Sequence, residues 1–290
     1  MTSVPIATVP TTRFARSVKA LRRILGRTEG AVGLGLVLLV LVIAVIGPIV
    51  SGRDPDAFVT APYAQPGAGL PFGADNLGRD VLGRFLYGGL RLLEISALAT
   101  VVGVSLGAGL ALLIGSSRGR IGPHLMRVVD IALAFPFILF VLLFVTLTGS
   151  SWWQVAMVIA LIHVAPVTRV VRPVVAEISE RDFVRSAEAI GVPRRRILLG
   201  EILPNLTPTL SVEYGLRLTF SVGIVAALSY LGFGTPPGVP DWGSMISDNQ
   251  LALTTQPWPV LLPSLAIACL AVGANLLTDS VARSLAVRDE

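Results

Sequence analysis

Ala31 to Val50 is a run of 20 residues without a charged side chain. A helix over it is about 30 Å long, which matches the hydrocarbon thickness of a bilayer. A basic stretch with Arg13, Arg16, Lys19, Arg22, Arg23 and Arg27 precedes it. A cleaved signal peptide would have a shorter apolar core, about 7–15 residues, and small residues at its cut site. Pro48-Ile49-Val50-Ser51 lacks that pattern, so the run is expected to be an uncleaved first span.

Five further apolar runs follow. They cover Ile95 to Gly115, about Ile131 to Thr148, about Trp152 to Val167, about Thr209 to Leu231 and about Trp258 to Thr278. Composition agrees, since 53% of residues are hydrophobic and only 14% are charged. A soluble surface needs about 25% charged residues. The expected fold is therefore an all-α integral membrane protein with six transmembrane helices. In the second run Gly103 and Gly107, with the offset pair Ser105 and Gly109, can let helix backbones approach closely. Ordinary tolerance of glycine in lipid explains them equally well. Pro136 is expected to kink the third span, because it lacks an N–H and clashes with the preceding turn.

The basic residues orient the bundle. Eighteen of the 23 Lys and Arg residues fall in the N-terminal tail, the 116–127 loop, the 168–204 loop and the C-terminal tail. The opposite side holds Arg53, Arg79, Arg84 and Arg91, and the 232–257 segment has none. Basic residues collect on the cytoplasmic side, so both termini are expected there. The net charge of +5 is read as part of this sidedness and calls for no nucleic-acid partner. The expected organisation is a basic tail over 1–30, a first span over 31–50 and an extracytoplasmic segment with an interfacial helix over 51–90. A five-helix domain over 91–280 with a cytoplasmic loop over 173–205 follows, then a short tail over 281–290.

Chemistry of other kinds finds little support. Cys269 is the only cysteine, so neither an intrachain disulfide nor a thiolate metal site can form. No His, Cys, Asp or Glu cluster has metal-ligand spacing, and no nucleophile–base pair is legible. A phosphate-binding Gly-Lys-[Ser/Thr] loop is excluded, because the only lysine, Lys19, follows Val18.

The loop between the fourth and fifth spans is the most informative segment. Asp182 is a suitable N-cap, Gly191 a suitable C′ residue, and Pro193 blocks continuation. Between them a two-turn helix is expected, with Val184, Ala187 and Ile190 on one face. A second helix is expected from Pro193 through Ile197 and Leu198 to Leu203, ended by Pro204. A short amphipathic helix of this kind can dock in a groove of another protein. With Arg194, Arg195 and Arg196 beside it, it can equally lie on lipid headgroups.

The loop resembles the EAA-loop of the permease subunits of bacterial ABC importers. Ala187, Gly191, Leu203 and Pro204 match that motif, whereas Arg185 stands where many permeases have glutamate and Glu201 where they have isoleucine. Phe183-Val184-Arg185-Ser186-Ala187-Glu188-Ala189-Ile190-Gly191 and Ile202-Leu203-Pro204-Asn205 look like the Y-V-R-A-A-R-A-x-G and H-I-L-P-N forms of peptide permeases. Phe72 to Asp80 is similar to the F-G-T-D-x-x-G-R-D segment of dipeptide and oligopeptide permeases, typical of the second of their two permease subunits. Leu228 to Gly234 resembles their L-S-F-L-G-L-G. Asp241-Trp242-Gly243-Ser244-Met245, Pro257-Trp258 and Asn275-Leu276-Leu277 follow at the family's spacing. Val225, where many relatives have glutamate, and the Thr278-Asp279-Ser280 tail depart from the pattern. The resemblance covers about residues 20 to 285.

The resemblance implies a type I importer permease fold and a subunit that does not hydrolyse ATP. ATP and magnesium would be held by partner ATPases, either two chains or one fused chain. A second homologous permease and an extracytoplasmic substrate-binding protein would complete the assembly. It also implies an ATPase-coupling role for the loop. Phe183, Val184, Ala187 and Ile190 would form the docking face, Gly191 the break after Asp182–Ile190, and Arg185 a polar contact. The substrate would be a peptide; nickel and glutathione permeases share these motifs. An intramembrane enzyme or a free-standing channel or proton-coupled transporter would need catalytic clusters or internal repeats, and neither is visible.

Three ionisable residues in the spans are candidates for substrate contact: Glu213, Arg217 and His163. Glu213 and Arg217, four apart, can pair with each other. Arg217 is near enough to the surface to snorkel, and His163 can simply face a neighbouring helix. Arg127 with Asp130 is expected to form a three-apart pair, and Asp80 with Arg84 a four-apart pair. The extracytoplasmic segments 51–90 and 232–257 can receive a binding protein or cover the helix ends.

Overall fold

The computed structural model describes residues 26–52, 54–67, 69–117, 121–149, 151–234 and 238–286. Most of the basic N-terminal tail, with Arg53, Arg118, Arg120 and Arg288, lies outside the described residues. Five helices are long and apolar enough to cross a membrane, and a sixth crossing exists if a sharply bent pair counts as one span. They are α1 (Thr28–Ser51), α2 (Val81–Gly115), α5 (Trp152–Ser179), α9 (Thr207–Tyr230) and α11 (Trp258–Ala286). The bent pair is α3 (Ile121–Ala134) and α4 (Phe137–Thr148).

Pro136 does more than kink the third span. The two halves meet at 83°. Pro136 has no N–H to continue the ladder and drives the preceding Phe135 out of the helical region. The chain restarts on the Pro136 carbonyl, which accepts from the Leu139 and Phe140 N–H groups at 3.1 and 3.3 Å. Alone, the 12 residues of α4 reach about 18 Å, too short for a bilayer.

Two other boundaries move. The interfacial helix and the second span are one helix of 35 residues, so no break separates segment 51–90 from the rest of the bundle. The fourth span continues to Ser179, twelve residues past its apolar run. Apolar patterning marks only part of each helix: the first turns of α2, with Arg84 and Phe85, are buried against other parts of the chain.

α2 and α5 form the tightest packing in the bundle, and here the glycines matter. A Cβ on Gly103 would lie 2.6 Å from the Ala160 carbonyl oxygen, and one on Gly107 would lie 2.7 Å from Val167 Cβ. Thr168 Oγ1, 2.7 Å from the Val164 carbonyl of its own helix, also lies 3.1 Å from the Gly107 carbonyl across the seam. Close backbone approach therefore explains these two glycines. Gly109 has open space around it, and Ser105 instead hydrogen-bonds Tyr214 at 2.9 Å.

The segments ahead of α2 and after α9 fold together as a cap. Trp242 opens α10 (Trp242–Asn249), stacks on Phe85 and donates its indole N–H to the Phe85 carbonyl at 2.8 Å. Gln256 donates to the Ala64 and Phe72 carbonyls at 2.9 and 3.1 Å. Arg79 pairs with Asp75 at 2.8 Å, and Arg84 reaches Asp56 at 2.6 Å and Asp75 at 3.6 Å. Asp80 caps α2, accepting from the Leu82 N–H at 3.1 Å. Arg84 thus takes Asp56 and Asp75, from the segment ahead of α2, where the spacing predicted Asp80. Phe72–Asp80, Asp241–Met245 and Pro257-Trp258, read separately in the sequence, meet in this cap.

Candidate functional site

The loop between the fourth and fifth spans forms α6 (Asp182–Ala189) and α7 (Arg194–Ile197), joined at a left-handed residue. Gly191 has φ +79°. Its N–H donates to the Glu188 carbonyl at 3.0 Å, and Val192 N–H donates to Ala187 at 3.0 Å. This 5→2 and 6→1 pair is the Schellman motif. At the other end the expected cap is displaced by one residue. Arg181 holds the extended N-cap position and Asp182 lies in the first turn. There its carboxylate meets the positive end of the helix dipole without bonding an N–H.

The helix does not present one docking face. Val184 is 1% exposed and packs with Val175, Ile178, Ile197 and Ile202 of its own chain. Ala187 and Val192 lie against the same cluster. Ile190 is 81% exposed and Phe183 is 39% exposed. Seven residues apart, these two point within about 20° of each other. Val184 and Ala187 therefore seat the helix, and Phe183 and Ile190 are left uncovered. Arg185 is exposed. A three-apart pattern marks an apolar stripe but does not say which edge of it meets the same chain.

The second loop helix also differs. After α7 the chain makes a π turn over Leu198–Ile202 and continues through the short α8 (Leu203–Asn205), which contains Pro204, before α9 begins. Pro204 does not stop the helix. Leu203 N–H bonds Leu198, five residues back, and the wider turn accommodates the missing Pro204 donor. Asn205 Nδ2 donates to the Glu201 carbonyl at 2.6 Å. Arg194 ties the loop to the end of α2 through the Ser116 hydroxyl at 3.2 Å and the Ser116 carbonyl.

The three intramembrane candidates converge. Arg217 Nε donates to Glu213 Oε2 at 3.1 Å, and Glu213 is buried. His163 is fully buried, with Nε2 2.7 Å from Ser221 Oγ. Ser221 Oγ lies 3.0 Å from Thr100 Oγ1, which donates to the Ser96 carbonyl at 2.7 Å. A cavity of about 390 Å³ opens at the break in the third span and is lined by His163, Arg217 and several phenylalanines. Sequence spacing found the Glu213–Arg217 pair. It could not find Ser221 and Thr100, because nothing local marks a hydroxyl that meets a histidine 58 residues away. The expected Arg127–Asp130 pair is replaced, since Asp130 lies 3.6 Å from Arg169 of α5.

In the cap, Asp241 accepts from the N–H groups of Gly243 and Ser244 at 2.8 and 3.2 Å and from the Ser229 hydroxyl. Burial pushes its pKa up, partly opposed by these three hydrogen bonds. Among the described residues no group of three or more His, Cys, Asp or Glu side chains is placed to hold a metal ion.

Residues 103–288 match the family model described as binding-protein-dependent transport system inner membrane component. The chain is 30% identical over 259 residues to a dipeptide transport system permease protein of Alkalihalophilus pseudofirmus, covering 88% of this chain and 84% of that protein. It is 30% identical to a di/tripeptide transport system permease protein of Pseudomonas aeruginosa, over 96% of this chain and 95% of that one. A glutathione transport system permease protein of Pectobacterium atrosepticum is 31% identical over 89% and 87%.

Proposed function

The chain belongs to the family of inner-membrane components of binding-protein-dependent transport systems, and from that premise we propose that it is one of two permeases in an ATP-driven importer of short peptides. Members of this family are the permeases of ABC importers, which work with ATPase and binding-protein partners. The finer assignments are our reading. This chain pairs with a second, related permease, its termini are cytoplasmic, and ATP with magnesium is held wholly by the ATPase partners. The peptide substrate is supported by the relatives named for dipeptide and di/tripeptide transport. Glutathione is the second reading, favoured by the glutathione permease match.

The observation that carries the mechanism is α6. It is fastened to its own bundle by Val184 and Ala187, and it leaves Phe183 and Ile190 uncovered. An apolar pair on a short rigid helix suits insertion into a groove of the ATPase. When ATP binding closes the ATPases, α6 moves with them, and the Arg194–Ser116 tie passes that movement to α2. ATP supplies the free-energy difference between the two orientations of the pathway. Facing outward, the cap of α10 and segment 54–80 offers a preformed surface for the loaded binding protein.

Co-expression with the neighbouring subunits and purification through a tag on this chain tests the reading. ATPase subunits are expected to co-purify, and proteoliposomes are expected to accumulate labelled dipeptide when ATP and the binding protein are supplied. Recovery of the chain without ATPases under conditions that preserve the second permease would overturn the coupling assignment. Accumulation of glutathione in preference to dipeptides would decide for the second reading.

A further inference from the structure

The cavity at the broken third span has a chemistry more specific than a passage. Arg217 lies about 15 Å along α9, itself about 36 Å long, so the cavity opens part-way along that helix. Arg217 is the one ionised side chain on its wall. Only its Nε is used, by Glu213; among the described residues its terminal nitrogens have no partner. A guanidinium carries five N–H donors in a planar fork, so the fork remains available after the ion pair is made.

His163 supplies the complementary group. Thr100 spends its hydroxyl hydrogen on the Ser96 carbonyl, so it accepts from Ser221. Ser221 then has no hydrogen left for the imidazole, and His163 Nε2–H must donate to it. A neutral ring in this tautomer has a bare Nδ1. That atom is buried and has no hydrogen-bond partner. An unpaired buried acceptor costs free energy unless something donates to it. The remaining wall is aromatic, with Phe135, Phe137, Phe140 and Phe220. At about 390 Å³ the space is at the small end of ligand sites.

We propose that this cavity holds the C-terminal residue of the transported peptide: the Arg217 fork takes the carboxylate, His163 Nδ1 accepts the last amide N–H, and the phenylalanines receive the side chain. This rests on the peptide reading above. It adds a preference for free-acid peptides that end in an apolar or aromatic residue.

The test uses the purified complex with its partner subunits and saturation-transfer NMR. The probes are N-acetylphenylalanine, its primary amide, and N-acetyl-N-methylphenylalanine. The free acid is expected to bind about tenfold more tightly than the amide and about fivefold more tightly than the N-methyl acid. Arg217→Gln is expected to erase the acid–amide difference. Because that change strands Glu213, the Glu213→Gln/Arg217→Gln double variant, which holds no unpaired charge, must give the same result. Equal binding of all three probes by the unaltered complex, or an acid preference that survives both variants, overturns the proposal. A second arm measures uptake of alanylphenylalanine. If the probes bind as expected but the dipeptide is not imported, the site stands and the peptide reading falls. If the dipeptide is imported equally by the unaltered complex and the double variant, the reading stands and the site falls.

Discussion

Glu213 Oε2 accepts from Arg217 Nε at 3.1 Å, one turn along the same span, with the acid buried and the base only partly so. Each charge is tolerated in the membrane because the other is present. Glu213→Ala is therefore expected to destabilise the folded chain by about 3 kcal/mol. Glu213→Gln/Arg217→Gln is expected to recover most of that loss. Thermal melts of the detergent-purified complex check this; equal losses in both variants would mean that the pair is not the reason.

Val184 and Ile190 belong to the same short helix but do different work. Val184→Ala removes two buried methyl groups and is expected to lower stability by about 2 kcal/mol while leaving ATPase association intact. Phe183→Ser combined with Ile190→Ser changes exposed side chains and is expected to leave stability unchanged while reducing ATPase recovery several-fold. Melting temperature and pull-down yield, measured on both variants, separate the two roles. The reverse pattern would sink the assignment of faces.

Gly191 has open space around its Cβ position but a φ of +79°. Any penalty for Gly191→Ala is thus conformational, about 1–2 kcal/mol. Gly191→Asn is expected to cost less, since asparagine tolerates the left-handed region. Both are expected to slow ATP-driven uptake in that order, because the cap fixes the angle between α6 and α7. Equal uptake by all three proteins would show that this angle does not matter.

Asp241 makes stability depend on pH in a defined direction. Burial raises its folded pKa above the ordinary carboxylate value of about 3.9. The native state therefore binds the proton more tightly than the unfolded chain. Its contribution is fully present below that ordinary value and declines as pH rises through the folded pKa. Asp241→Asn keeps an acceptor for Gly243, Ser244 and Ser229 without the charge. The unaltered protein is expected to lose melting temperature relative to Asp241→Asn as pH rises from about 4. Parallel melting curves across that range would refute this.

Much of the cap was present in the sequence as separate motifs, but their meeting was not. Phe85 and Trp242 are 157 positions apart, and neither carries a local sign of the other. Likewise Asp130 had Arg127 three positions away, yet it lies beside Arg169, because α3 packs along α5, which offers that cation. Local spacing nominates partners only within one helix; a packed neighbour competes on equal terms.

What the sequence determined alone were quantities that a single segment can carry. The long apolar runs require membrane helices, Pro136 marks the third span for a kink, and Gly191 permits the left-handed turn after α6. Tertiary structure decided which side of each helix meets protein. It turned Val184 inward and left Ile190 out, pressed Gly103 and Gly107 against α5, and set His163 on Ser221 beside a cavity with Arg217. The physical reason is that backbone propensity and hydrophobic length act along the chain, whereas burial and hydrogen-bond pairing depend on surfaces that exist only once the helices have packed.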